Sequence, residues 1–218
     1  MAVYRFDEDF DGFMEDFGEP FESVPIDESV MAAYRDKLPE QLFTYWRGVG
    51  ACGFGEGLFW MVNPAEYQEL LDSWLEGTPF EDRDDLSVIA RTAFGILYVW
   101  AKGKGKVMKI YPTTNAINYF LENDANDFSD ETENTEMSYF WGFKDVESED
   151  YEDENDTPMF QKALKKFGRL HADEMYGFSL SPALGGKETM DNLDLVKLEI
   201  YHDISRQLGG VQIVSIES

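Results

Sequence analysis

Phenylalanine side chains near the start of the chain recur at the spacing of an amphipathic helix. The intervals are four, three and four residues, acidic residues fill most positions between them, and the rings are those of Phe6, Phe10, Phe13 and Phe17. The pattern predicts a helix with one apolar face, which Gly18 and Pro20 end. A second helical pattern covers residues 27–45, and Pro39 marks a break or a fresh start within it.

A glycine-rich stretch and an apolar stretch follow. Five glycines within residues 48–57 indicate a turn region, and the apolar residues 58–62 indicate a buried strand. Asn63 and Pro64 suit the N-cap and the first position of a helix that reaches about Leu75. Residues 86–101 and 106–111 are predicted to be neighbouring strands of an antiparallel hairpin, joined by a turn rich in lysine and glycine.

The second half of the chain shows mainly helical patterns, over residues 157–167 and 190–208. We therefore predict an α+β fold, with a small antiparallel sheet and flanking helices in the N-terminal half and a mainly helical C-terminal half. The predicted domains are residues 1–112 and 113–218.

The charge of the chain changes this picture because it is extreme and unevenly spread. The chain has 18 Lys and Arg against 44 Asp and Glu, a formal net charge of -26. Residues 122–156 contain 15 acidic residues and Lys144 as the only base, whereas residues 101–121 contain four lysines and no acid. The reversal near Tyr119 suggests a hinge between the two halves. The acidic segment is either a solvated, partly disordered loop or a surface that attracts cations, and its aromatic residues favour at least partial order.

Several function classes are excluded or disfavoured by composition. A strongly negative field opposes direct binding of nucleic acid and of anionic membranes, and favours cationic partners. No apolar stretch is long enough for a membrane span, and the N-terminus lacks the pattern of a secretory signal. The single cysteine, Cys52, forms no intrachain disulfide, so we expect a cytoplasmic protein.

Two partial metal patterns occur in the chain. The first pattern consists of Asp7, Asp9, Asp11 and Gly12 and resembles the opening of a calcium loop. The twelfth position of such a loop is a bidentate acid, but in this chain it is Gly18. The second lacks the two-histidine spacing of a zinc protease helix, and its residues are His171, Asp173 and Glu174. We predict no metal and no cofactor.

Other catalytic patterns are equally incomplete. The sequence G-V-G-A-C-G follows a predicted helix and precedes a predicted strand, whereas a dinucleotide fingerprint needs the opposite order. The lysines at 102, 104 and 106 are more typical of a soluble hairpin tip than of a phosphate site. Neither a nucleophile elbow nor a Cys-His motif is present, so we expect no enzymatic activity.

Two stretches carry a family resemblance. Residues 38–67, LPEQLFTYWRGVGACGFGEGLFWMVNPAEY, resemble the GAD-like domain in the N-terminal half of bacterial type VI secretion immunity proteins, the kind that neutralise DNase effectors. Residues 175–201 contain P-A-L-G-G-x-x-x-x-D-N-L before the last predicted helix, which is similar to the C-terminal domain that accompanies the GAD-like domain. The two motifs occur in the order of that family, and the acidic middle matches it least.

The resemblance implies a non-enzymatic antitoxin whose partner is a cognate toxin effector. This toxin is expected to be a basic DNase, and the antitoxin would occlude its active or DNA-binding site. Local density of aromatic and acidic residues, and not the family, selects the candidate toxin contacts. These are Tyr139, Trp141, Phe143, Asp145, Glu147, Glu149, Asp150, Tyr151, Glu152 and Asp153. An acidic DNA mimic or scaffold that binds host DNA-binding proteins is the alternative, followed by a metal-dependent enzyme.

Overall fold

The computed structural model describes residues 6–207 and 210–217. Its centre is an eight-stranded sheet with the order β1-β2-β3-β4-β5-β6-β7-β10, antiparallel except for the parallel pair β7 and β10. The strands are β1 (Phe21–Val24), β2 (Ala51–Phe54), β3 (Phe59–Met61), β4 (Leu86–Thr92), β5 (Leu97–Ala101), β6 (Gly105–Tyr111), β7 (Ala116–Phe120) and β10 (Gln212–Ile216). Strands β8 (Glu174–Phe178) and β9 (Leu193–Lys197) form a separate antiparallel pair.

Helices cover both faces of this sheet. They are α1 (Glu8–Phe17), α2 (Glu28–Tyr34), α3 (Glu40–Val49), α4 (Pro64–Leu75), α5 (Leu121–Asp124), α6 (Asp130–Gly142), α7 (Phe160–Phe167) and α8 (Leu198–Gln207). Helices α1, α3 and α6 pack against one another, and α4 packs on β4 and α8. The predicted α+β class is therefore confirmed.

The predicted helix boundaries follow from local chemistry. Asp7 caps α1 by accepting a hydrogen bond from the Phe10 backbone N–H, and Gly18 ends the helix with a φ of 84°. Asn63 accepts from the backbone N–H of Ala65 at the start of α4. The interruption predicted at Pro39 separates α2 from α3.

Three local predictions were wrong. Residues 86–101 form two strands, because Gly95 adopts a φ of 77° in a tight turn between β4 and β5. The glycine-rich stretch contains β2 in addition to a turn, and the predicted helix at 190–208 begins with β9 and becomes helical only at Leu198. For β2 and β9, pairing with other strands overrides the local pattern, since β2 pairs with β1 and β3, and β9 pairs with β8.

The C-terminal part of the chain contributes to the central sheet. Strand β10 lies beside β7, with Gln212 opposite Ala116 and Ile216 opposite Phe120. The C-terminal part thus contains β8, β9 and β10 in addition to its helices. The domain boundary at residues 112 and 113 stays a prediction.

An aromatic cluster joins α1 and α6 to the sheet. The indole ring centroid of Trp141 lies 5.5 Å from that of Phe10, 5.2 Å from that of Phe13 and 5.7 Å from that of Phe59. All four side chains are buried. Such edge-to-face contacts add to the free energy already gained by burying the rings.

We expect Trp141→Ala to lower the free energy of unfolding by about 3–5 kcal/mol, because it leaves a large cavity between α6 and the sheet. Urea unfolding followed by circular dichroism measures this change. Tyr139→Ala on the exposed side of the same helix is the matched control, with an expected change of about 0.5 kcal/mol. Equal losses in the two variants would contradict the packing described here.

Candidate partner-binding surfaces

The acidic segment is attached to the sheet through a buried carboxylate. Ser129 caps α6, and Glu133 in its first turn is fully buried. The Glu133 carboxylate accepts hydrogen bonds from Trp100 Nε1 at 2.9 Å and from the Gly103 backbone N–H at 2.8 Å, and lies 2.8 Å from Lys102 Nζ. The tip of the β5–β6 hairpin therefore binds α6, and Lys102 in this tip is paired with Glu133.

The structure places Trp141 in the core, so its selection as a candidate toxin contact must be corrected. Its side chain has no exposed area, because the helical period turns Met137, Phe140 and Trp141 towards the sheet. Tyr139 and Phe143 lie on the other side of this run and are 41% and 77% exposed. The sequence Y-F-W-G-F alone did not distinguish the inner rings from the outer ones.

Glu149 is also an internal residue, which corrects its selection as a candidate toxin contact. Its carboxylate lies 3.0 Å from Lys144 Nζ and accepts a hydrogen bond from the Tyr98 hydroxyl. Lys144 Nζ lies 4.1 Å from the ring centroid of Tyr98 and 4.6 Å from that of Phe140. Burial lowers the pKa of Lys144, and Glu149 opposes that shift.

Three further candidates hold the loop before α7. Asp150 accepts hydrogen bonds from the backbone N–H groups of Tyr151 at 2.6 Å and Phe160 at 2.8 Å. Asp153 accepts from the N–H of Asn155 at 2.9 Å, and the Tyr151 hydroxyl donates to Glu188 at 2.5 Å. These side chains are partly buried, so they shape the loop and offer little area to a partner.

The remaining candidates are exposed. We call Tyr139, Phe143, Asp145 and Glu147 the acidic–aromatic patch; the rings of Tyr139 and Phe143 lie 5.5 Å apart. Glu152 is exposed farther along the loop. Within residues 6–207 and 210–217, the carboxylates of Asp145, Glu147 and Glu152 form no ion pair.

Lysines lie beside the acidic–aromatic patch. A cavity of about 290 Å³ is lined by Tyr139 and Phe143 together with Lys104, Lys106 and Lys144. Burial, together with the nearby lysines Lys144 and Lys109, lowers the pKa of Lys106 to about 8. The patch is thus acidic at its exposed rim and basic beneath it.

A larger cavity, which the sequence did not predict, lies at the β1 edge of the sheet. It has a volume of about 660 Å³, and we call it the edge groove. Trp60 lies at its floor, Cys52 and Met61 are also among its lining residues, and its walls are β1, α4 and the start of α8. These segments are far apart in sequence, so no local motif could have indicated the groove.

The floor of the edge groove is held by buried polar contacts. Trp60 Nε1 donates to the Gly57 carbonyl at 2.9 Å, and the Arg91 guanidinium carbon lies 4.5 Å from the Trp60 ring centroid. Arg91 is fully buried and donates to the Tyr67 hydroxyl at 3.1 Å and the Ala172 carbonyl at 2.8 Å. Burial lowers the pKa of Arg91, while Tyr67 raises it.

Cys52, which also lines the groove, does not resemble a reactive thiol. Its side chain is buried, and burial raises its pKa to about 12. At neutral pH the thiol is therefore protonated and packs as a small apolar group.

The partial metal patterns are occupied by internal hydrogen bonds. Asp7 accepts from Phe10 N–H at 2.9 Å and from Gln41 Nε2 at 2.6 Å. His171 pairs with Glu22, whereas Asp173 pairs with Lys197 at 2.7 Å. In the described part of the chain, no three His, Cys, Asp or Glu side chains are grouped so as to hold a metal ion.

The glycine pattern also differs from a phosphate cradle. It joins the end of α3 to β2, the order opposite to that of a dinucleotide site. No helix within residues 6–207 is long and apolar enough to cross a membrane.

Comparisons with known proteins match both parts of the chain. The GAD-like domain family matches residues 8–114, and the family of the C-terminal domain of T6SS immunity protein Tdi1 matches residues 134–209. The fold is similar to the crystal structure of Atu4351 from Agrobacterium tumefaciens, with a TM-score of 0.83 and 23% identity over 94% of this chain and 92% of that chain. No curated protein matches the chain significantly.

The buried pair of Lys144 and Glu149 gives a testable prediction. We expect Glu149→Leu to lower the free energy of unfolding by about 3–5 kcal/mol, because Lys144 keeps its burial and loses its counter-charge. The double variant Lys144→Met/Glu149→Leu should recover most of the loss in urea unfolding.

Glu154→Gln is the control for loss of an ion pair, because Glu154 lies 3.9 Å from Lys187 at the surface. Its expected effect is below about 1 kcal/mol. A double variant as unstable as Glu149→Leu would show that the buried charge is not the cause.

Proposed function

We propose that this chain, which matches the GAD-like domain family and the family of the C-terminal domain of T6SS immunity protein Tdi1, neutralises a cognate DNase by covering its active or DNA-binding site. The C-terminal family supports an immunity role in type VI secretion, and that role implies a cognate toxin as the partner. The single observation that supports the assignment as an immunity protein is the presence of both domain matches in this order.

The charge supports the choice of a nuclease. A protein that grips DNA presents Lys and Arg side chains to the phosphates. With a net charge of -26, this chain can compete for such side chains and attract them over a distance. We place this activity inside the producing cell, where the toxin would otherwise reach the genome.

Occlusion would explain inhibition without catalysis. The covered nuclease site excludes DNA as long as the complex lasts, so the dissociation rate decides protection. Charge speeds the encounter, but a durable complex also needs apolar side chains that become buried on binding.

The exposed members of the sequence-derived set are proposed toxin contacts. They are Tyr139, Phe143, Asp145, Glu147 and Glu152. The other five members support this surface from within or hold the loop that carries it, and Trp141 does so by fixing α6 to the sheet.

The direct test is co-expression with the product of the neighbouring gene, which we expect to be the toxin. A tagged form of this chain should recover that toxin, and adding the purified chain should abolish plasmid cleavage by it. A toxin whose cleavage continues in the complex would exclude occlusion, and failure to recover any toxic neighbour would exclude the immunity function.

Charge steering gives a second prediction. We expect Asp145→Asn/Glu147→Gln/Glu152→Gln to slow association with the toxin by about tenfold at low ionic strength and to change the dissociation rate little. Surface plasmon resonance at two salt concentrations measures both rates.

A variant with the same loss of charge provides the control. Asp36→Asn/Asp82→Asn/Asp84→Asn neutralises three exposed acids on other loops. Equal slowing in both triple variants would mean that net charge acts as a whole and would remove the special role of the acidic–aromatic patch.

A further inference from the structure

We propose that the edge groove is the docking site for a basic segment of the cognate toxin, which inserts an apolar side chain between β1 and α8. This proposal rests on the proposed function, because the occupant is that same toxin. It names the surface that would supply the apolar contacts a durable complex needs.

Exposed apolar side chains cluster at the mouth of the groove. Val24 on β1 is 57% exposed, and Ile200 on α8 is 59% exposed. Both line the groove. Ile204 is 51% exposed and lies one turn after Ile200, so the two isoleucines share a face of α8. A single exposed apolar residue needs no explanation, but a group around a cavity of this size is typical of a binding site.

The groove is also preformed. The Trp60 side chain is fixed by its hydrogen bond to the Gly57 carbonyl and by the buried Arg91. The ring centroid of Phe21 lies 5.2 Å from that of Trp60. A rigid floor reduces the conformational entropy lost when a partner binds. The volume of about 660 Å³ is sufficient for one or two large side chains.

Acidic side chains surround this apolar interior. Glu66 and Glu69 on α4 and Glu199 on α8 are exposed groove residues. None of the three forms an ion pair within residues 6–207 and 210–217. Lys197 is the basic residue that lines the groove, and Asp173 and Glu174 already neutralise it. The rim therefore selects a segment in which Lys or Arg flanks an apolar residue.

A second copy of this chain is a poorer occupant. In a two-fold dimer the same patch faces itself, so the unpaired carboxylates of the two rims would approach one another. Like charges brought together in this way oppose association. A basic partner meets the same rim with attraction.

The edge groove and the acidic–aromatic patch lie on opposite faces of the sheet. Phe59 and Trp60 are adjacent in β3, so their side chains point to opposite faces. Phe59 packs against Trp141 of α6, whereas Trp60 lines the groove. Substitutions can therefore test the two surfaces separately.

The experiment compares exposed substitutions in the full chain, with the toxin that it silences as the probe. We expect Ile200→Arg and Val24→Arg to weaken binding about 30-fold, mainly through faster dissociation, because each places a positive charge in the path of a basic segment. Leu184→Arg is the matched control, since Leu184 is 48% exposed and lies outside the groove. Its affinity should stay within about threefold of the wild-type value.

NMR spectra of the isoleucine methyl groups report binding at the groove without any substitution. The signals of Ile200 and Ile204 should shift when catalytically inactive toxin is added, and that of Ile213 on β10 should not. Shifts at Ile200 and Ile204 that depend only on the concentration of this chain would identify a second copy as the occupant and overturn the proposal.

The results separate this proposal from the proposed function. Wild-type affinity and protection in both groove variants, together with loss of binding in Phe143→Arg, would overturn the groove and leave the immunity function intact. A wild-type chain that neither binds nor silences the toxin would overturn the immunity function itself, and the groove assignment with it.

Discussion

The packing of Trp141 against the aromatic rings of α1 and β3 determines how the acidic segment is presented. Without this contact, a stretch with 15 carboxylates and one lysine would favour a solvated chain over a helix on the sheet. The indole ring lies within 5.7 Å of the ring centroids of Phe10, Phe13 and Phe59, so α6 has one rotational setting. That setting exposes Tyr139 and Phe143 and directs Glu133 inward.

Many acidic residues in this protein have structural roles, so the net charge overstates the charge that is available to a partner. Glu133 and Glu149 are buried against lysines, and Asp150 accepts hydrogen bonds from backbone N–H groups at the start of α7. The carboxylates that can meet a partner are the unpaired exposed ones. Some of these lie at the rim of the acidic–aromatic patch and others lie around the edge groove, and the cavity beside the patch is also lined by Lys104, Lys106 and Lys144.

Local chemistry explains which elements were predictable from sequence. The phenylalanine stripe of α1 and the Asn63–Pro64 start of α4 are short-range signals, and both appear where predicted. Strand β9 lies within the stretch predicted to be helical, because its pairing with β8 lies outside any local sequence window. The edge groove could not be predicted from any local sequence window either, since Val24, Trp60 and Ile200 come together only in the folded chain.

The edge groove also links the two matched regions of the chain. Glu22 on β1 has a φ of 49°, an unusual value for a residue with a side chain, and its carboxylate accepts a hydrogen bond from the Ala172 N–H at 3.2 Å. The C-terminal part therefore helps to hold the edge strand in place. Because the walls come from both regions, a partner in the groove would contact both. Its binding would stabilise their packed arrangement, since a ligand favours the state that presents its complete site.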